Sequence, residues 1–140
     1  MYSHLIEEAK EAGITSNHVA ALIVNREGKI LLIKEDLSEK PTFSLPTADI
    51  KEGETIQQAL QRAVLEETLM ELAEVKRYLG HYDIERDRYY HFITGVKDPC
   101  SLESNAKIAY AWLDSQEAVG YPIIDELREM LDKYVKLEKQ

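Results

Sequence analysis

Apolar residues recur along the chain at two spacings, and the alternation between them lays out the elements. In "SHLIEEAKEAG" Leu5, Ile6 and Ala9 share one helical face and Gly13 stands where a helix would stop, so the pattern predicts a short helix over 3–12. "HVAALIVNREGKILLIKED" gives two nearly all-apolar runs around the turn signal "NREGK", which predicts a hairpin of strands covered on both faces. "SEKPTFSLPTADIKEGE", with Pro41, Pro46 and Gly53, reads as loop holding one short strand around 43–45. A helix follows in "TIQQALQRAVLEET". "KRYLGHYDI" and "RYYHFITGVK" then form a second pair of strand-like runs around "ERDR", and "KIAYAWLD" is a further strand. The clearest helix is 122–137, with Pro122 in its first turn and Ile123, Ile124, Leu127, Met130, Leu131, Tyr134 and Val135 at helical spacing. Its apolar face suits packing on a sheet or a homodimer contact. With no internal repeat or linker, one domain over 1–140 is expected, of the α/β or α+β class with helices covering a mixed sheet.

One residue breaks the pattern. At about 100° per residue, Ile56, Ala59, Leu60, Ala63 and Val64 fall within one arc, and Glu67 projects into its middle. Arg62 and Glu66, four residues apart, stand one above the other on the arc's edge. An ionised carboxylate on a core-facing stripe calls for a cation or hydrogen-bond donors, unless it tilts to the rim in the last turn.

Charge narrows the partners. The chain carries 26 acidic against 17 basic residues, a net charge of −9, which repels nucleic-acid polymers. Small anionic substrates remain open where a divalent cation or local Arg and Lys offset that background. Cys100 is the only cysteine, which excludes an intrachain disulfide and fits a reducing compartment. The acidic start "MYSHLIEEAKEAG" does not fit a signal peptide, and no apolar stretch is long enough to span a bilayer. A soluble cytoplasmic protein without membrane contact is the expectation.

The order loop, Glu54, helix, Arg62, Glu66-Glu67 resembles the Nudix family, whose box is G-x5-E-x7-R-E-U-x-E-E-x-G-U with U a bulky aliphatic residue. Over 48–70 the same register reads Ala48, Glu54, Arg62, Ala63, Val64, Glu66, Glu67, Leu69 and Met70, preceded by "FSLPTA" and followed later by "AYAWLD", a strand ending in Trp that in the family precedes a short helix. The resemblance implies an α/β/α sandwich and metal-dependent hydrolysis of a nucleoside diphosphate linked to another moiety, with Mg²⁺ or Mn²⁺ offsetting phosphate charge and activating water. It makes Glu66 and Glu67 metal ligands, with a backbone carbonyl near Ala48 beside them. Glu54 and Arg62 become the charge pair that braces loop and helix.

Three departures bear on activity. Ala63 stands where the family has a Glu that binds metal and in some members acts as base, a loss on the order of 10²–10⁴ in rate. Ala48 and Leu69 replace the two box glycines. At the second, Leu in a left-handed turn would be strained by roughly 1–2 kcal/mol, so the helix is expected to run past Leu69 through "TLMELAEV" or to end with another geometry. Two readings follow: a hydrolase of reduced activity, with Glu103, Asp98 or Glu85 supplying the missing carboxylate, or a nucleotide-binding or regulatory module without turnover. His18, His81 and His91 lack metal-ligand spacing and read as surface or sheet-face histidines. Tyr89, Tyr90 and Phe92 suit strand packing or base stacking, Ser44 has no companion for a nucleophile, and Lys34 and Arg26 read as solvated charge or phosphate contacts.

Overall fold

A computed structural model describes residues 2–35, 42–99 and 108–139. The elements run α1 (Ser3–Glu11), β1 (Ser16–Ile23), β2 (Ile30–Glu35), β3 (Thr47–Asp49), α2 (Ile56–Thr68), β4 (Leu72–Ile84), β5 (Asp87–Val96), β6 (Ile108–Leu113), α3 (Ser115–Val119) and α4 (Asp125–Glu138). Four strands form a sheet in the order β3-β1-β5-β4, with β1 parallel to β5 and the other pairs antiparallel; β2 and β6 make a separate antiparallel ribbon.

Alternation along the buried strands divides the core into two layers. Val19, Ala21 and Ile23 of β1, Leu31 and Ile33 of β2 and Tyr90 and Phe92 of β5 meet Leu5 of α1 and Ile56, Leu60 and Val64 of α2. Ala20, Leu22, Ile30 and Leu32 point the other way, onto Leu127, Met130, Leu131 and Tyr134 of α4. Helices thus cover both faces of the strands, as expected for an α/β/α sandwich. The apolar face of α4 is spent on this layer, so it is not a free dimer face.

Four local expectations need correction. The hairpin at "NREGK" is reduced to one antiparallel bridge, Val24 to Ile30, after which β1 joins β5 and β2 joins β6. The strand expected around 43–45 is a single bridge from Ser44 to Ile33; the strand itself is β3, just beyond Pro46. Pro122 lies ahead of α4, not in its first turn. The carbonyls that would open an earlier helix are used elsewhere: Pro122's accepts from Phe43 N–H at 2.8 Å and Ile123's from Arg128 Nη2 at 3.0 Å.

The fourth concerns the end of α2. The helix stops at Thr68, and Leu69 takes the left-handed conformation at φ 66 that a glycine would occupy. Thr68 donates its hydroxyl to the Val64 carbonyl and accepts from Met70 N–H at 3.1 Å, and the turn delivers Met70, fully buried, to the core. Burial of Met70 and the pairing of β4 outweigh the helix propensity of "TLMELAEV". Leu69 itself is 49 % exposed, so little packing repays its strain. Leu69→Gly is therefore expected to raise stability by about 0.5–1 kcal/mol, seen as a higher midpoint in thermal unfolding. A fall would show that the leucine side chain contributes more than its backbone costs.

Candidate functional site

The loop before α2 is locked to the helix by one guanidinium. Thr55 and Gln58 form a reciprocal capping box at the helix start. Two turns on, Arg62 donates from Nε to Glu54 Oε2 and from Nη2 to Glu54 Oε1, both at 3.0 Å, while Nη2 also donates to the Asp49 carbonyl. Glu54 Oε1 accepts Lys51 N–H as well, at 3.0 Å. The Arg62 guanidinium, aided by that amide, holds the Glu54 carboxyl down to about 2. Nη1 of Arg62 reaches Glu66 at 3.7 Å. Helix α2, its leading loop and β3 therefore share one charged clip.

Glu66 and Glu67 diverge from there. The Glu66 side chain is 62 % exposed, whereas Glu67 is half-buried and lines a cleft of ≈ 580 Å³. Strands β1 and β5 give the cleft Ala20, Tyr89 and His91, the segment before β3 gives Phe43 and Ser44, and α4 adds Leu127. Lys34 stands in the same wall with its Nζ 6.0 Å from the Phe43 ring centroid. A second cavity, of ≈ 500 Å³, opens between α1 and the start of α2. It touches Glu54 but neither Glu66 nor Glu67; of the two acids, Glu67 lines the first cleft and Glu66 lines neither.

The ladder between β1 and β3 settles where the backbone oxygens point. Ile50 N–H bonds the Asn17 carbonyl at 2.8 Å and Ala21 N–H bonds the Pro46 carbonyl at 2.9 Å. Alternation makes Val19 and Ala48 the bonded pair between them, which turns the Ala48 carbonyl toward β1 and those of Thr47 and Asp49 away. The Ala48 oxygen keeps one lone pair.

Among the described residues, no three His, Cys, Asp or Glu side chains converge, so Glu85 and Asp98 do not join Glu66 and Glu67 in a cluster. Glu85 is the φ 56 residue of the β4–β5 turn. Glu103 and Cys100 lie outside the described residues. The aromatic candidates split: Tyr90 and Phe92 sit in the core on the α1 and α2 side, with the Tyr90 hydroxyl on the Leu5 carbonyl at 3.0 Å, while Tyr89 faces the cleft. His18 stacks on Tyr89 at 4.5 Å and contacts Asp87 at 3.4 Å, and His81 meets the Tyr78 hydroxyl at 3.2 Å, both as sheet-face groups. Tyr82 is a cleft residue that the sequence pattern did not single out.

The model for the NUDIX domain matches residues 15–134. The chain belongs to the NUDIX family. Solved structures agree in fold. The E. coli ORF135 protein is 22 % identical, covers 91 % of this chain with 94 % of its own, and has a TM-score of 0.68. For the MutT protein from Methanosarcina mazei Go1 the values are 20 % identity, 89 % and 96 % coverage and a TM-score of 0.64. A NUDIX hydrolase from Nitrosomonas europaea gives 24 %, 86 %, 88 % and 0.67. None of the curated proteins matches the chain. No helix among the described residues is long and apolar enough to cross a membrane. Within the NUDIX box, then, Leu69 keeps the backbone of the glycine it replaces, and Ala63 is fully buried one turn before Glu67.

Proposed function

We propose that this NUDIX protein hydrolyses a nucleoside diphosphate linked to another moiety, at a reduced rate and with one weakly bound Mg²⁺ or Mn²⁺ at Glu66 and Glu67. The observation that carries the reading is Glu67, half-buried in the wall of a nucleotide-sized cleft while the Arg62 clip fixes its helix against β3. The donors fit such an ion: Mg²⁺ is commonly held by one or two carboxylates with substrate phosphates and water completing the shell, the box resemblance adds a backbone oxygen near Ala48, and the adjacent Thr47 lines the same cleft as Glu67. Two acids do not suffice for a cluster of ions, which matches a weak site.

When bound, the ion offsets phosphate charge and lowers the pKa of the attacking water. The chain's own groups do the rest. Glu67 holds negative charge in the cleft wall with Glu66 next to it in α2, Lys34 offers a cation to the diphosphate, and Phe43, Tyr82 and Tyr89 offer rings to a base. Glu54 and Arg62 act by positioning. The lone Cys100 supports a reducing, cytoplasmic setting. A second reading, nucleotide binding without turnover, is favoured by the methyl group of Ala63, which can neither ligate metal nor take a proton.

Calorimetric titration with Mn²⁺ tests the acids: wild type is expected to bind weakly, and Glu67→Gln to lose that heat. Equal binding by both proteins removes the site. Phosphate release from nucleoside triphosphates, nucleotide sugars, ADP-ribose and dinucleoside polyphosphates separates slow hydrolysis from none.

A further inference from the structure

His91 is a buried polar group that the proposed hydrolysis leaves unused. Its side chain is 1 % exposed, on the face of β5 that forms the cleft, and it pairs across β4 with Gly80. A Cβ on Gly80 would meet Lys133 and Met130 of α4, so the glycine lets α4 approach the sheet next to His91. Nδ1 stands 3.0 Å from the Tyr89 carbonyl oxygen. A carbonyl only accepts, so Nδ1 carries the hydrogen, and in the neutral ring Nε2 presents a lone pair. Burial pushes the imidazole down to about 4 against the pull of the Tyr89 and Gly80 carbonyls, which keeps it neutral at pH 7. Nothing among the described residues hydrogen-bonds Nε2.

Such an orphan is uncommon, because a buried acceptor without a donor costs free energy that a packed phenylalanine would not. Here it lies beside ring surfaces of the right kind. The Tyr82 and His91 centroids are 4.8 Å apart at 43°, and Tyr82 and Tyr89 are 5.4 Å apart at 34°. The charged end of the cleft, with Glu67 and Lys34, is contributed by other elements.

We propose that His91 determines base specificity, its Nε2 accepting a hydrogen bond from an N–H on the edge of a nucleobase that lies against Tyr82 and Tyr89. This rests on the nucleotide reading given above. A histidine that only packs would be indifferent to the loss of one N–H from the ligand.

The test is binding of AMP and CMP against analogues lacking the exocyclic amine, and of GMP and UMP against analogues methylated at the ring N–H. Calorimetry is run on the full chain as wild type, His91→Phe and His91→Gln. Phe keeps a ring and removes the acceptor, while Gln returns an acceptor oxygen. Wild type is expected to prefer the N–H partner of at least one pair by about tenfold, Phe to erase that preference, and Gln to restore part of it. Where Phe fails to fold, the wild-type preference and its retention in Gln carry the result. Binding without preference in wild type, or a preference that survives in His91→Phe, overturns the assignment of His91 alone. Absence of binding by every nucleotide overturns it together with the nucleotide reading.

Discussion

Ala63→Glu is expected to raise hydrolysis on the order of 10²–10⁴-fold over wild type in the presence of Mg²⁺ or Mn²⁺, the range that a general base or an added ligand supplies. Residue 63 is four positions before Glu67 and three before Glu66, so the new carboxylate would stand on the same side of α2 as both. It would also enter a fully buried position. Three acids crowded at one helix end repel, and burial penalises the charge further. The variant is therefore expected to unfold at a lower temperature than wild type in chelator, and to recover much of that difference when Mn²⁺ is added. Phosphate release and thermal unfolding, each with and without Mn²⁺, read both effects. A loss of stability that Mn²⁺ does not relieve, with no gain in rate, would show that the proposed ion does not sit beside this turn.

The register of α2 was legible because it depends on neighbours three and four residues apart. The Glu54 and Arg62 pairing is not local in that sense: it was implied by the resemblance of the box, and the bidentate bonds join side chains eight residues apart. The second strand pair was legible too, since Glu85 and Arg86 join β4 and β5 directly. What failed was choice of partner. "NREGK" makes a turn, but both flanking runs are nearly all apolar, so nothing local states that β1 will take β5 and β2 will take β6. Leu69 was misread for a related reason: helix propensity counts the chain near it and is blind to the burial of Met70 that the turn delivers. The cleft was least legible of all. Ala20, Ser44, Tyr89 and Leu127 come from four distant stretches and share no spacing that a pattern could detect. His91 reads as an ordinary sheet residue until the fold shows its Nε2 buried without a partner at the cleft.

Arg62→Met should cost about 2–3 kcal/mol at pH 7, between the value of an exposed ion pair and that of a buried one, because the Arg62 and Glu54 side chains are only 20 % and 15 % exposed. Methionine keeps much of the stem but leaves Glu54 and the Asp49 carbonyl without their shared donor. The pH dependence identifies the cause. Glu54 falls from 4.5 to about 2 on folding, chiefly through Arg62, so the clip's contribution is fully present above about pH 4.5 and is lost as pH falls toward 2. In the variant that dependence largely disappears, since the principal cause of the lowered value is gone. Urea unfolding of both proteins from pH 7 down to pH 3 is expected to show the stability difference narrowing on the acid side. Glu54→Gln, which keeps an acceptor but removes the charge, should lose part of the same increment and lose the acid dependence as well. A difference between wild type and Arg62→Met that stays constant across this range would assign the loss to packing of the arginine stem instead of the ion pair. In that case the clip could not be what holds Glu66 and Glu67 in place, and the positioning role assigned to it would pass to the Thr55 and Gln58 capping box at the helix start.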